Sequence, residues 1–417
     1  MNNYLQRAEK IMQRINTLAL ISDDDNCINR IFGTNAFIKG RDTIFEWMND
    51  AGLQTTIDNI SNVRGKLLSD NANAKTLVIA SHYDTVINAG KFDGPLGVLM
   101  GLDLLEQIIQ AKIKLPFHVE LIAFSDEEGV RFHTTYLGSK VVAGLFDKNV
   151  LNKKDENGIT LQDVIQKLNR RTNQLDKDAI AKNNWLGYFE IHIEQGPVLY
   201  EKNIPIAVVN GIAGQQRLEI VFKGMAGHAG TVPMNMRSDA LCAASEFILE
   251  LEQFALEHKK NLVATVGKLN IINAASNVIP GEVVFSLDIR SADENVLSAA
   301  YKQIEIICCD VCKKRKIKFE WNLIQESKPI LCSKEMNKLL SSSIKKSGYE
   351  VIELVSGAGH DAVAISEVSP VAMLFVRCFK GISHNPLENV ELNDLAAAIK
   401  VSDNFIQELI TQNKFII

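Results

Sequence analysis

Read for apolar and polar positions, the first half of the chain alternates strand and helix signals. TLVIASHYD (76–84) is a short apolar run rich in β-branched residues, the mark of a strand buried on both faces. A Gly/Pro-containing loop follows, then GVLMGLDLLEQIIQ (97–110), apolar at helical spacing. FHVELIAFSDEE (117–128) predicts a second buried strand ending in acids, and YFEIHIEQGP (188–197) a third. IPIAVVNGIAG (204–214) closes on a glycine-rich turn. Strands separated by helices predict a parallel or mixed sheet with helices on both faces, an α/β fold. The opening stretch MNNYLQRAEKIMQRINTLALIS reads as an amphipathic helix.

From about residue 215 the pattern changes. RLEIVFKG alternates like a half-exposed strand, and SDALCAASEFILELEQFALEH (238–258) is helical. NLVATVGKLNII and EVVFSLDIRS predict two more strands, joined around NAASNVIPG. ENVLSAAYKQIEIICCDVCKK (294–314) is a second helix and IKFEWNLIQE (317–326) a last strand. The order βαββαβ predicts a ferredoxin-like domain over residues 213–328, inserted into a discontinuous domain of residues 1–212 and 329–417. In the returning segment the pattern predicts a helix at 333–347, strands VIELV and VAMLFVR, and a closing helix from about 391.

Composition narrows the function classes. The 417 residues are 46% hydrophobic and 23% charged, a globular balance that excludes disorder or a collagen array for the whole chain. A net charge of -5 provides no basic surplus to hold nucleic acid or anionic lipid. No run of about 18 apolar residues is present to span a bilayer, and the N-terminal stretch lacks signal-peptide features. Seven scattered cysteines are no disulfide framework, and a cytoplasmic protein is expected. Cys308, Cys309 and Cys312 lack a matching second ligand pair and read as core residues of a helix.

The candidate chemistry sits at strand ends, where ligands of open α/β sheets gather. The first strand runs into His82 and Asp84 and then reaches Asp93; the second ends in Asp126, Glu127 and Glu128. The third presents His192, and His384 follows the last strand. Three imidazoles with two carboxylates, His82, Asp93, Glu128, His192 and His384, suggest a site for two divalent cations. The two oxygens of Asp93 could bridge such a pair, and mixed N/O ligation suits zinc or manganese. Asp84, two residues after His82, can accept the second ring N–H of that histidine. Glu127, next to a ligand but pointing differently in an extended segment, is the candidate general base.

Other polar residues are less specific by themselves. His228 reads as a loop histidine of the inserted domain, with Asn277 and Arg290 around its strand pair and Arg217 at a strand start. Arg290 suits a two-pronged carboxylate clamp, although strand arginines are commonly solvated. His118 and His258 read as structural, and His133 has no assigned role. His360 sits in a glycine-rich turn that could either approach a substrate or only stabilise itself.

The segments SHYDTV, GKFDGPLGV, FSDEEGVRF, HIEQGP, GIAGQQRL, GHAGTVPM, NVIPG, DIRS, SGAGHDA and SHNP, in this order, carry a resemblance over nearly the whole chain. It resembles the di-metal amidohydrolases related to aminoacylases and carboxypeptidases, in the branch of allantoate amidohydrolases and N-carbamoyl-L-amino-acid hydrolases. The resemblance implies that His82, Asp93 and His192 bind one metal and that Asp93, Glu128 and His384 bind the other. It implies Glu127 as base and Asp84 as the group orienting His82. It also implies a homodimer through an inserted lid and dimerisation domain, with His228 polarising the scissile carbonyl in the neighbouring active site. Asn277 and Arg290 would hold the substrate carboxylate, with Gln195 and Gly359 lining the pocket.

Gln216 and Arg217 in GQQRL could satisfy an extra polar arm of allantoate, where carbamoyl-amino-acid enzymes tend to be apolar. His133 in VRFHTTYLGS departs from the motif. The sequence is therefore expected to encode an amidohydrolase that cleaves the linear ureido C–N bond of allantoate to ureidoglycine, ammonia and carbon dioxide. N-carbamoyl-L-amino-acid or β-ureidopropionate hydrolysis is the alternative; a dipeptidase, an aminoacylase or an inactive metal-binding scaffold is less well supported.

Overall fold

The computed structural model describes residues 2–259 and 261–412. The chain forms two compact units, the first made of residues up to Asn210, Cys332–Leu354 and those from Gly359 onward. The second comprises Gly211–Leu331 with Val355–Ala358. The junctions thus lie at 210/211 and 331/332, against 212/213 and 328/329 expected, and the short return at 355–358 has no local sequence signal.

The first unit is built on a mixed sheet. Its strands run in the order Gln54–Ile57, Val63–Leu67, His118–Phe124, Thr76–His82, Trp185–Ile193, Val371–Val376 and Ile206–Ile212. Thr76–His82 is parallel to both His118–Phe124 and Trp185–Ile193, and Val371–Val376 is parallel to Trp185–Ile193. The flanking strands are antiparallel, which makes the sheet mixed. Every residue of Trp185–Ile193 is buried. Because successive side chains point to opposite faces, total burial means that both faces are covered.

Helix Pro95–Gln110 packs on the Thr76–His82 and Trp185–Ile193 strands, and Asn2–Ala19 packs on it and on Leu392–Thr411. Register places His82 beside Phe124 and His192 beside Phe375, so the carboxyl ends of neighbouring strands emerge side by side. The helix Asn35–Asp50, capped by the Thr34 side chain on Phe37 N, and the antiparallel pair Gln54–Ile57/Val63–Leu67 were not anticipated. Both are short or weakly periodic, and the sheet edge they form depends on tertiary packing.

The second unit carries the βαββαβ order. An antiparallel sheet runs Leu269–Ile271, Glu282–Ser291, Gly214–Lys223, Lys318–Ser327, with Val263–Thr265 also paired to Glu282–Ser291. Burial alternates strictly along Glu282–Ser291. Its inward residues Val283, Phe285, Leu287 and Ile289 form one core with helices Ala240–Glu257 and Glu294–Arg315. The segment NLVATVGKLNII, expected as one strand, is broken into two around Gly267. Cys308 and Cys312 lie in this apolar core. Among the described residues no helix is long and apolar enough to cross a membrane.

Candidate metal centre and active site

Four adjacent strands of the first unit deliver the chemistry. His82 ends its strand and is buried. Its ring lies against Gly94, where a Cβ would meet the imidazole 2.4–2.6 Å away, and Gly94 itself has φ +82°. Both the close approach and the left-handed backbone require glycine there. Pro95 then starts the helix, so Asp93 is held at its entrance.

Asp93 lies among three histidines. Its Oδ1 is 3.1 Å from His192 Nε2 and 3.7 Å from His82 Nε2, while its Oδ2 is 3.0 Å from His384 Nε2. His384 Nε2 also lies 3.6 Å from Glu128 Oε1. Two donor groups that could each hold a metal ion result: His82, Asp93 and His192, and Asp93, Glu128 and His384. His82, Glu127 and Glu128 form a third such group, and Glu190, His192 and His360 a fourth.

The protonation of two rings follows from their backbone partners. His82 Nδ1 lies 3.1 Å from Asp84 O, and His192 Nδ1 lies 3.0 Å from Ile193 O. A carbonyl can only accept, so each Nδ1 carries hydrogen and it is each Nε2 that faces Asp93, with a lone pair whenever the ring is neutral. His192 Nε2 is buried without a hydrogen bond, its contact with Asp93 being poorly aligned for one. Lone pairs directed at a carboxylate oxygen call for a cation between them, and the N/O donor set fits a divalent metal ion. Zinc and manganese both suit it.

The charge around this point leads the same way. Asp84, Asp93, Asp126, Glu127, Glu190 and Asp361 are all buried, and among the described residues none forms an ion pair with lysine or arginine. Buried carboxylates left without counter-ions are costly. Burial raises Glu127 well above the usual carboxylate range; the neighbouring His82 opposes this, and Glu128 and Asp361 add to it. Burial and Asp93 push Glu128 up to about 7. Asp93 moves the other way: burial would raise it, but His192, His384 and His82 around it hold it well below its ordinary value. The Asp93 contact lifts His384 to about 9 against the effect of burial.

Asp84 differs in detail from expectation. It is the backbone carbonyl that meets His82 Nδ1, with carboxylate Oδ1 at 3.6 Å. The carboxylate instead accepts Glu127 N at 3.0 Å and Glu128 N at 3.2 Å. The acidic segment is not extended. Asp126 has φ +52° and the chain turns there, bringing Glu127 and Glu128 to the same side as His82. The helix Leu137–Ala143 supports this turn, since Leu137 N and Gly138 N donate to Asp126 O and Ser125 O.

Gln195, expected in the substrate pocket, donates from Nε2 to Asp93 Oδ2 at 2.9 Å and to Ser383 Oγ at 3.2 Å. Gly359 packs against the Tyr136 phenol. His360 sets its ring edge-on to His192, with centroids 4.5 Å apart, and burial followed by His192 holds it well below the ordinary histidine range. His133 is exposed, and its carbonyl accepts from Lys153 Nζ at 3.3 Å.

Sequence reasoning missed Glu190, Asp361 and Glu388, all buried near these ligands. Glu190 had a signal, an acid within an otherwise apolar strand, on the same side as His192 two residues later. Asp361 and Glu388 sit in polar loops, where one more acid carries no information.

In the second unit, His228 and Asn277 are brought together. His228 pairs with Val278 across a short antiparallel ladder, and Ala229 N donates to Asn277 O at 2.9 Å. His228 Nδ1 accepts from Gly230 N at 3.1 Å and the residue is exposed. Arg290 is engaged: Nε and Nη2 donate to the two oxygens of Asp288 at 2.8 and 3.0 Å, and Nη1 to Gly357 O at 2.6 Å. Arg217 Nε shares Asp288 at 2.9 Å, while Gln216 Nε2 donates to Glu326 at 2.8 Å.

The family model described as peptidase family M20/M25/M40 matches residues 78–408. The chain belongs to this family. Hydrolases of the M20 family depend on metal, in keeping with the donor groups around Asp93. The chain is 38% identical to allantoate deiminase 2 of Glycine max, an alignment covering 96% of this chain and 89% of that one. It is 32% identical to the N-carbamoyl-L-amino acid amidohydrolase of Geobacillus stearothermophilus, covering 97% and 98%. Among solved structures, a hydantoinase/carbamoylase family amidase from Burkholderia multivorans superposes with a TM-score of 0.90 at 30% identity, covering 97% of this chain and 98% of that one. This M20 chain is thus a hydrolase of the amidohydrolase branch.

Proposed function

We propose that the protein hydrolyses the linear ureido C–N bond of allantoate, giving ureidoglycine, ammonia and carbon dioxide, with two divalent ions held around Asp93. The observation that carries the reading is the split of the Asp93 carboxylate, one oxygen toward His82 and His192 and the other toward His384 beside Glu128. On this reading His82, Asp93 and His192 hold one ion, and Asp93, Glu128 and His384 the other. Bound there, zinc or manganese would supply Lewis-acid activation of water and of the scissile carbonyl.

The chain's own residues do the rest. Glu127, whose carboxyl burial raises well above the usual carboxylate range, takes the proton of the attacking water. It returns that proton to the departing nitrogen, and the carbamate left behind loses carbon dioxide. Asp84 positions Glu127 and Glu128 through their backbone N–H groups. Arg290 and Asn277 hold the substrate carboxylate, which would take the place of Asp288 on the planar fork of Arg290. Gln195, Gln216, Arg217 and Gly359 complete the polar surroundings. His228 of a second copy polarises the carbonyl, with the inserted unit as lid and dimer surface; the exposed Met234, Met236 and Val263 of that unit support a covered face. The seven unpaired cysteines support a cytoplasmic setting.

The choice of allantoate rests on Gln216 and Arg217 and on the relatives of 38% identity named allantoate deiminases. The 36% identity to an N-carbamoyl-L-amino-acid amidohydrolase of Pseudomonas favours the second reading. Purified enzyme assayed on allantoate, N-carbamoyl-L-amino acids and β-ureidopropionate, with manganese and zinc added separately, decides between them. Turnover of the last two without allantoate would overturn the first choice.

A further inference from the structure

Two of the loops around Asp93 come from opposite ends of the first unit's sequence. The loop before helix Pro95–Gln110 carries Asp93, and the loop after strand Val371–Val376 carries His384. Neither is held in register with the other by sheet pairing. The buried Glu388 side chain bonds to both, beside the Gln195 amide that also reaches Asp93 and Ser383. Glu388 Oε1 accepts Phe92 N at 2.7 Å and Asp93 N at 3.1 Å, while its Oε2 accepts Ser383 Oγ at 3.0 Å. Ser383 Oγ also lies 3.1 Å from Asp93 Oδ2.

The backbone is shaped for this grip. A Cβ at Gly90 would come within 2.2–2.5 Å of the Glu388 side chain, so only glycine lets the carboxyl in. His384, next to the Glu388-bonded Ser383, has φ +52°, a strained setting for a histidine. Strain of this kind persists only where surrounding bonds over-determine it.

We infer that Glu388 is a positioning residue that registers the Asp93 loop against the His384 loop, and so sets the ion site of Asp93, Glu128 and His384 selectively. The His82–Asp93–His192 group depends less on it. His82 and His192 are fixed by their own strands and by the backbone contacts of their Nδ1 atoms. This inference rests on the two-ion reading above. Residues that orient metal ligands typically contribute 10–100-fold in metal affinity.

The test is calorimetric titration of the full-length apoprotein with Mn2+, with bound metal counted by elemental analysis and folding followed by circular dichroism. Wild type is expected to take up two ions. Glu388→Ala should keep the first and lose the second, a drop of about 10–100-fold for one class of site. Glu388→Asp, which keeps the charge but is one methylene short, should behave likewise and serves if the alanine variant fails to fold. Glu388→Gln keeps an oxygen for the two N–H groups and should retain both ions. Two ions bound with wild-type affinity by the Ala or Asp variant would overturn the inference. So would equal weakening of both ions, or a Gln variant as impaired as Ala. A wild-type protein that takes up fewer than two ions would overturn the two-ion reading itself, and this inference with it.

Discussion

The carboxylate of Asp84 accepts the backbone N–H of Glu127 at 3.0 Å. Its second oxygen takes Glu128 N at 3.2 Å, and its carbonyl meets His82 Nδ1 at 3.1 Å. One residue thereby fixes a ring tautomer on its own strand and the direction of two carboxylates on the next. Asparagine offers one acceptor oxygen and would turn an amide N–H toward a backbone donor. Asp84→Asn should lower kcat by about 100-fold and weaken metal binding by about 10-fold. Steady-state kinetics with metal titration measure both, and wild-type kcat would remove Asp84 from this role.

Glu127→Gln preserves shape and hydrogen-bonding reach but removes the base. Turnover should fall by about 10²–10⁴-fold while metal content stays at the wild-type level. Elemental analysis beside the assay separates the two effects. Residual activity close to wild type would refute the assignment.

Chelation should abolish turnover and leave the secondary structure intact, because the strand frame is closed by apolar burial rather than by ligands. Ions that bind only the folded state raise its apparent stability by mass action. The thermal midpoint should therefore drop on chelation and recover when Mn2+ or Zn2+ is returned, as scanning calorimetry would show.

Gly94→Ala would place a methyl group in the His82 ring at a backbone angle that disfavours side chains. The conformational penalty alone is about 1–2 kcal/mol. The variant should lose metal affinity along with stability, measured by titration and denaturant unfolding. An unchanged affinity would show that the ring can shift without harm.

Glu106 ties two helices of the first unit together, receiving Lys10 Nζ at 2.5 Å and Arg14 Nη2 at 2.7 Å. Burial would raise its carboxyl, but the bonds from Arg14 and Lys10 outweigh this and hold it below the ordinary value. A depressed carboxyl stabilises the fold above its unfolded pKa, and that contribution is lost as pH falls through the folded pKa. Glu106→Gln should cost about 1 kcal/mol at pH 7, since water screens the half-exposed Lys10, and progressively less below about pH 4. Urea unfolding across that range would reveal a pH-independent difference if the ion pairs contribute nothing.

Much of this protein is written locally. Apolar runs such as TLVIASH and YFEIHI announce buried strands, and the histidines and acids that follow them lie in the same short segments. The alternation along EVVFSLDIRS likewise announces a sheet with one face on helices, because periodicity of two is a property of neighbouring residues. Lateral strand order is not local. That Thr76–His82 lies between His118–Phe124 and Trp185–Ile193, with Val371–Val376 beyond, was decided by burial over the whole unit. It is this order that sets His82, Glu128, His192 and His384 around one carboxylate. Tertiary structure also decided which acids matter: Glu388 in its loop resembles any solvated glutamate until folding buries it against Phe92 N and Asp93 N. A buried charge must find donors in three dimensions, and sequence spacing does not reveal a partner 296 residues away.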